Sequence, residues 1–347
     1  MTERPTRLPA MLTKPMSWLY GLGAAHKARG FDRGRGVVHL DRPVISVGNL
    51  SVGGTGKSPM VHHIVRTLIR HGHSPAIAMR GYKAKPGTLG DEGMEHRVLF
   101  PEVPIVAQPD RVAGLRALFA TDAGAKVDCI VLDDGFQHRR IARDLDLVLI
   151  DASRPPDRDA LLPHGFLREP IRALARADAF VLTHTELVDA TERDRIDGWL
   201  KGATGHASIA HARHHWSSIE VHERGEIRTE QPGWLKDKRV LVACAIGNPR
   251  GLINGVQSQG GRVISSFLLA DHRAIAGEQL RAFVAQIANQ QPDLVLMTRK
   301  DLVKLKGSLG EIPSTIVVPR LELAFDRAEG EVEAELLGVF RPDSTRA

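Results

Sequence analysis

Cysteine is nearly absent from this chain: Cys129 and Cys244 are the only two in 347 residues. Both fall inside apolar runs, which excludes a disulfide scaffold and predicts two core thiols in a reducing compartment. Also missing is any apolar run of the roughly 18–20 residues that a transmembrane helix needs. The first thirty residues, MTERPTRLPAMLTKPMSWLYGLGAAHKARG, lack the continuous apolar core of a signal peptide. There is no internal repeat and no low-complexity segment. Acidic residues are outnumbered, 41 against 47 Lys and Arg, for a net charge of +6. Such an excess points to an anionic partner: nucleic acid, acidic lipid or a phosphorylated metabolite. The basic residues are scattered and form no recognisable nucleic-acid module, so nucleic acid is not expected.

What is present is a series of short apolar runs rich in β-branched residues. PVISVGN, DCIVLDD, DLVLIDA and AFVLTH read as buried parallel strands, with helical patterns between them. In PMVHHIVRTLIRHG the apolar residues recur at 61, 64, 65, 68 and 69, and Gly72 supplies the stop. Strands alternating with helices predict an α/β fold with a doubly wound, mostly parallel sheet. The length favours two domains. We read residues 1–202 as a phosphate-loop domain, 203–235 as a linker with strand character, and 236–347 as a smaller α/β domain. The latter rests on RVLVACAIGNP, GRVISSFLLADH, DLVLMTRKD and STIVVPRLELAF. His211, His214 and His215 cluster in the linker. No carboxylate or cysteine nearby in sequence completes a ligand set, so they are expected to be solvated.

The chemistry concentrates in ISVGNLSVGGTGKSPM, residues 45–60. Small residues before a helix let backbone N–H groups turn inward on a phosphate, and the helix N-terminus faces the anion. Ser51, Val52, Gly53, Gly54, Thr55, Gly56, Lys57 and Ser58 fit the pattern G-x-x-x-x-G-K-[ST], except that Ser51 stands in place of the first glycine. A small residue with negative φ is tolerable there. Lys57 is expected on the β- and γ-phosphates and Ser58 on Mg²⁺. Asp133 and Asp134 end an apolar strand, and two adjacent carboxylates need a cation beside them. The guanine-reading pattern [NT]-K-x-D is not met, since the lysine of TRKD (298–301) directly precedes Asp301. The partitioning ATPases' extra loop lysine is replaced by Val52. A nucleotide switch or metal-insertion GTPase is the alternative reading, and the missing guanine pattern counts against it.

With SVGGTGKSP, GDEG, LDDGFQHRR and LLPHGFLREP in one order, followed by AIGNP, ADHR and LMTRKDLVKL, the chain resembles the tetraacyldisaccharide 4'-kinases. The small residue at the first loop position is itself family-like. The resemblance implies ATP- and Mg²⁺-dependent transfer of the γ-phosphoryl group to the 4'-hydroxyl of an acylated disaccharide 1-phosphate in lipid A synthesis. It implies Asp91 and His272 as a carboxylate–histidine base, and Glu92 as a further candidate on the metal side. Gln137, His138 and Arg168 become candidates for contact with the substrate, with Glu169 expected to fix Arg168. Gly93 stands where the family usually has proline, MRGYKAK is altered, and Arg299 replaces a usual glutamate. A lipid substrate also reinterprets the N-terminus. Met16, Trp18, Leu19, Tyr20 and Leu22 lie between Arg4, Arg7, Lys14 and Lys27, Arg29. A helix so composed packs either on its own domain or in a membrane interface. The resemblance favours docking of residues 16–29 on anionic lipid, with the enzyme peripheral on the cytoplasmic face of the inner membrane.

Overall fold

The computed structural model describes residues 9–81, 89–223, 225–245, 249–269, 275–305 and 307–341, without the side chains of 10, 25–27, 91 and 92. The chain opens with helix α1 (Ala10–Asp32), then β1 (Val44–Asn49), α2 (Lys57–Arg70), β2 (Pro75–Met79), α3 (Asp91–Leu99), β3 (Ile105–Ala107), α4 (Arg111–Phe119) and the single turn α5 (Asp122–Ala125). It continues through β4 (Cys129–Asp133), β5 (Leu145–Asp151), β6 (Ala179–Thr183), α6 (Ala190–Thr204), β7 (Ala210–Glu223) and β8 (Glu226–Glu230). The remainder is β9 (Arg239–Cys244), α7 (Pro249–Ser258), β10 (Arg262–Leu268), α8 (Glu278–Gln290), β11 (Leu294–Met297), α9 (Arg299–Lys304), β12 (Ile316–Arg327) and α10 (Glu329–Gly338).

These elements form two compact units, 1–214 with 323–347, and 215–322. In the first, the strands run β3-β2-β4-β1-β5-β6-β7, all parallel neighbours. β1 is buried at every position because both faces are covered. On one face Ile45 and Val47 pack with Met60, Val61, Ile64 and Leu68 of α2; on the other, Val148, Ile150, Phe180 and Leu182 pack with Ile196 and Leu200 of α6. Val332, Leu336 and Val339 belong to the first of these cores. Residues 323–341 therefore return to the phosphate-loop unit, although the sequence reading gave all of 236–347 to the second domain. The supposed linker is β7 and β8: its start extends the first sheet beside β6, and its end forms an antiparallel hairpin in the second unit.

The second unit carries the parallel strands β10-β9-β11-β12, flanked by α7, α8 and α9. Phe283 and Ile287 of α8 pack with Leu241 and Val295, and Leu252 and Val256 of α7 with Val240 and Leu296. Arg299 caps no chemistry in the described residues; it pairs with Glu220. Cys129 and Cys244 are buried and form no disulfide, as expected. No described helix is long and apolar enough to cross a membrane.

Candidate active site

The loop after β1 is built from both of its flanks. Gly53 and Gly56 take φ of 119° and 85°, a region that side chains disfavour, and Gly56 caps α2. Ser51 needs no such freedom. It forms an antiparallel bridge with Leu167, while Val52 N–H donates to Phe166 O (2.8 Å) and Arg168 N–H to Leu50 O (2.8 Å). The front of the loop is thus an extended strand zipped to residues 166–168, which any small residue can adopt. Thr183 Oγ1 donates to Thr55 O at 3.0 Å from the other side.

Asn49, which the sequence reading passed over, organises the mouth. Its Nδ2 donates to Thr55 Oγ1 (2.7 Å), and its Oδ1 accepts from Lys57 Nζ (3.1 Å) and from Arg168. Arg168 donates in bidentate fashion to Asp134, at 2.8 Å to each oxygen, and Lys57 Nζ lies 3.6 Å from Asp134 Oδ1. Arg111 donates to the Asp134 carbonyl. Burial works against a charged Asp134, but the Arg168 bonds and the charges of Lys57 and Arg111 outweigh it. They hold the carboxyl well below the usual carboxylate range. Asp134 itself has φ of 52°, uncommon for a residue with a side chain and frequent at functional sites.

Asp133 is buried, and its Oδ2 accepts from His96 Nε2 at 3.0 Å; His96 Nδ1 in turn meets His62 Nε2 at 2.9 Å. Burial raises the Asp133 carboxyl, yet the hydrogen bond and charge of His96, with Lys57, bring it net below its ordinary value. This chain joins α2, α3 and β4, and both histidines were invisible as site residues because each occupies an apolar helix face. Lys57, Ser58, Met79, Arg80, Gly81, Asp133 and Asp134 line one cleft of about 190 Å³. Its hydroxyl and carboxylate oxygens are the hard donors that suit Mg²⁺.

The remaining expectations divide. Gln137 Nε2 donates to Asn49 O (2.9 Å), so it braces the loop. His138 is pushed down to about 4 by burial and by Arg111, Arg143 and Arg140, and stays neutral. Glu169 does not fix Arg168. It pairs with Arg176 (3.1 Å), because Arg168 is already committed to Asp134 and Asn49. Glu169 and Arg176 line a second cleft of about 330 Å³ with Arg29 and Asp32 of α1 and Arg172. His272 lies outside the described residues, as do the side chains of Asp91 and Glu92, whose backbones form the first turn of α3. Two of the three histidines expected in solvent are engaged. His211 Nε2 meets Asp197 at 2.7 Å, and His214 packs against His184 and Glu186, residues far away in sequence.

α1 buries only a narrow stripe. Ser17 Oγ donates to Leu161 O (2.8 Å), Thr13 Oγ1 meets His164 Nδ1 (2.9 Å) and Tyr20 Oη donates to Arg168 O (3.0 Å). Met11, Leu12, Met16, Trp18, Leu19, Tyr20 and Leu22 are 40–88% exposed.

The family model described as tetraacyldisaccharide-1-P 4'-kinase matches residues 9–341. The tetraacyldisaccharide 4'-kinase of Geobacter sulfurreducens is 33% identical over 325 residues, covering 88% of this chain and 86% of its own length. That of Anaeromyxobacter sp. (strain K) is 31% identical over 358 residues, covering 96% and 92%. Among solved structures, LpxK from Aquifex aeolicus in complex with ATP superposes with a TM-score of 0.69 at 27% identity, covering 94% of this chain and 98% of that one.

Proposed function

The chain belongs to the tetraacyldisaccharide-1-P 4'-kinase family, and from that premise we infer that it transfers the γ-phosphoryl group of ATP to the 4'-hydroxyl of a tetraacyldisaccharide 1-phosphate. The observation that carries the reading is the convergence of Lys57, Asp133, Asp134 and Arg168 at the mouth of the loop. Phosphoryl transfer asks a protein mostly for positioning and charge neutralisation. Lys57 neutralises the β- and γ-phosphates, and the loop N–H groups and the α2 N-terminus hold them. Ser58, Asp133 and Asp134 would hold Mg²⁺, with Glu92 a further candidate from the family pattern, and the ion would supply charge neutralisation to the phosphates. His96 keeps Asp133 in one orientation and ties α3, the helix that begins at Asp91, to β4.

The family pattern in GDE and ADHR makes Asp91 and His272 the candidate groups for taking up the proton of the 4'-hydroxyl. Gln137, His138 and Arg168 border the acceptor's approach. The cleft of Arg29, Arg172, Arg176 and Glu169 beside α1 is suited to an anionic sugar phosphate. The exposed apolar face of α1, with Lys14 and Arg29, docks on anionic lipid, so that the acyl chains need not leave the bilayer. The protein then works as a peripheral enzyme on the cytoplasmic face of the inner membrane.

The test is transfer from γ-³²P-ATP to a tetraacyldisaccharide 1-phosphate in mixed micelles. A labelled bisphosphorylated lipid made by wild type and not by Lys57→Ala is expected. Label released only as inorganic phosphate, with GTP preferred, would favour a nucleotide switch instead.

A further inference from the structure

Among the described residues, one group of three metal-ligating side chains brings its donor atoms within 4.8 Å of one another: His184, Glu186 and His214. All three lie in the phosphate-loop unit, and nothing in the phosphoryl transfer uses them. His184 and Glu186 follow β6, and His214 comes from β7, whose first residues pair with β6. His184 Nδ1 is 3.5 Å and His214 Nδ1 3.9 Å from the same carboxylate oxygen, Glu186 Oε1. The other oxygen, Oε2, accepts from the His214 backbone N–H at 3.2 Å, which fixes the carboxylate's direction.

The tautomer of His184 follows from its second contact. Its Nε2 lies 2.9 Å from Gly54 O, and a carbonyl can only accept, so Nε2 carries the proton. In the neutral ring Nδ1 is then a lone-pair donor facing Glu186. A metal-binding histidine is ordinarily held in this way, with its other N–H on a backbone carbonyl. Metal–nitrogen and metal–oxygen bonds of about 2.0–2.2 Å at tetrahedral angles place donors about 3.3–3.6 Å apart. The His184–Glu186 separation already fits and the His214–Glu186 one needs to close by a few tenths of an ångström, while the two imidazole donors lie within 4.8 Å of each other. Two imidazoles and one carboxylate suit a zinc-class cation, whereas Mg²⁺ and Ca²⁺ prefer all-oxygen shells.

We propose that His184, Glu186 and His214 form a binding site for a zinc-class divalent cation, with an open fourth position, directly against the nucleotide loop. Both rings touch that loop. His184 holds Gly54 O, and a side chain on Gly56 would meet the His214 ring at 2.8 Å. Occupancy therefore biases the loop's conformation, and cation and nucleotide affinities shift each other by one common factor.

The probe is Co²⁺ added to the full chain, stripped of metal and free of nucleotide, followed by visible absorption and displaced with Zn²⁺. Wild type is expected to take up one equivalent with the intense bands of a four-coordinate site. Glu186→Gln and His214→Ala should each weaken uptake at least tenfold, and His215→Ala should leave it unchanged. Glu186→Gln keeps shape and volume, so the test stands even where His214→Ala fails to fold. No uptake by wild type, or equal affinity in wild type and Glu186→Gln, overturns the proposal. Weaker ATP binding in Glu186→Gln without any Co²⁺ uptake by wild type overturns it too, and gives the cluster to the nucleotide base.

Discussion

Asp134 receives two hydrogen bonds from Arg168 while Lys57 stands 3.6 Å away, so one carboxylate orders both cations before a nucleotide arrives. A lysine cannot reproduce that fork. Arg168→Lys is expected to lose a charge-assisted bond of about 1.5–3 kcal/mol, a tenfold to hundredfold fall in kcat. Steady-state kinetics with saturating ATP measure it; an unchanged kcat would leave Arg168 a merely structural partner. His96 acts at one remove, through Asp133. His96→Leu keeps the apolar packing of α3 but frees Asp133 Oδ2, and should raise the Mg²⁺ concentration needed for half-maximal rate by about 10–100-fold. His138 supplies a pH dependence of stability. Its folded pKa is held at about 4, against about 6.5 in an unfolded chain, so between those values the unfolded state binds the extra proton. Stability from this residue is complete above about 6.5 and falls as the pH drops towards 4. Urea melts at pH 7.5 and 5 should show a smaller loss for His138→Gln than for wild type.

At the scale of elements, α1 is the one whose sequence and packing disagree unless a second phase is present. Trp18 and Leu19 are 66% and 61% exposed, and their neighbour Ser17 faces inward with its hydroxyl on Leu161 O. Removing the exposed pair leaves the helix's own contacts untouched. The double substitution Trp18→Ser, Leu19→Ser should weaken association with anionic vesicles by at least tenfold, since burying one such side chain contributes about 1.5–3 kcal/mol. Thermal stability in solution should not change. A fall in Tm with unaltered vesicle binding would return α1 to the core. The strand-to-helix turn at the loop shows the opposite economy. Ser51 is held by pairing with Leu167, so the missing glycine costs nothing and the glycines remain where φ is positive.

Across the whole molecule, the chain leaves the phosphate-loop unit within β7 and comes back within β12. Its C-terminal helix completes the core under β1. Leu336→Ala should therefore destabilise the nucleotide-binding unit by about 2–5 kcal/mol, with ATP binding lost at a correspondingly lower temperature. If only the second unit melts earlier, the assignment of α10 to the first core is wrong.

The sequence by itself determined what is local. Runs such as CIVLD and LDLVLID read as buried strands because their apolar residues fall on both faces. Gly53 to Ser58 read as a phosphate loop because glycine spacing, lysine and the following helix period lie within one short stretch. The family signatures are likewise contiguous. What only the tertiary structure decided are the pairings between distant positions: Arg168 with Asp134, Glu169 with Arg176, His96 with Asp133, and His184 and Glu186 with His214. The return of residues 323–341 to the first core is of the same kind. Hydrophobic periodicity says which face of a segment is buried and is silent on which partner buries it. A histidine on an apolar helix face reads as core until another element brings its carboxylate within 3 Å.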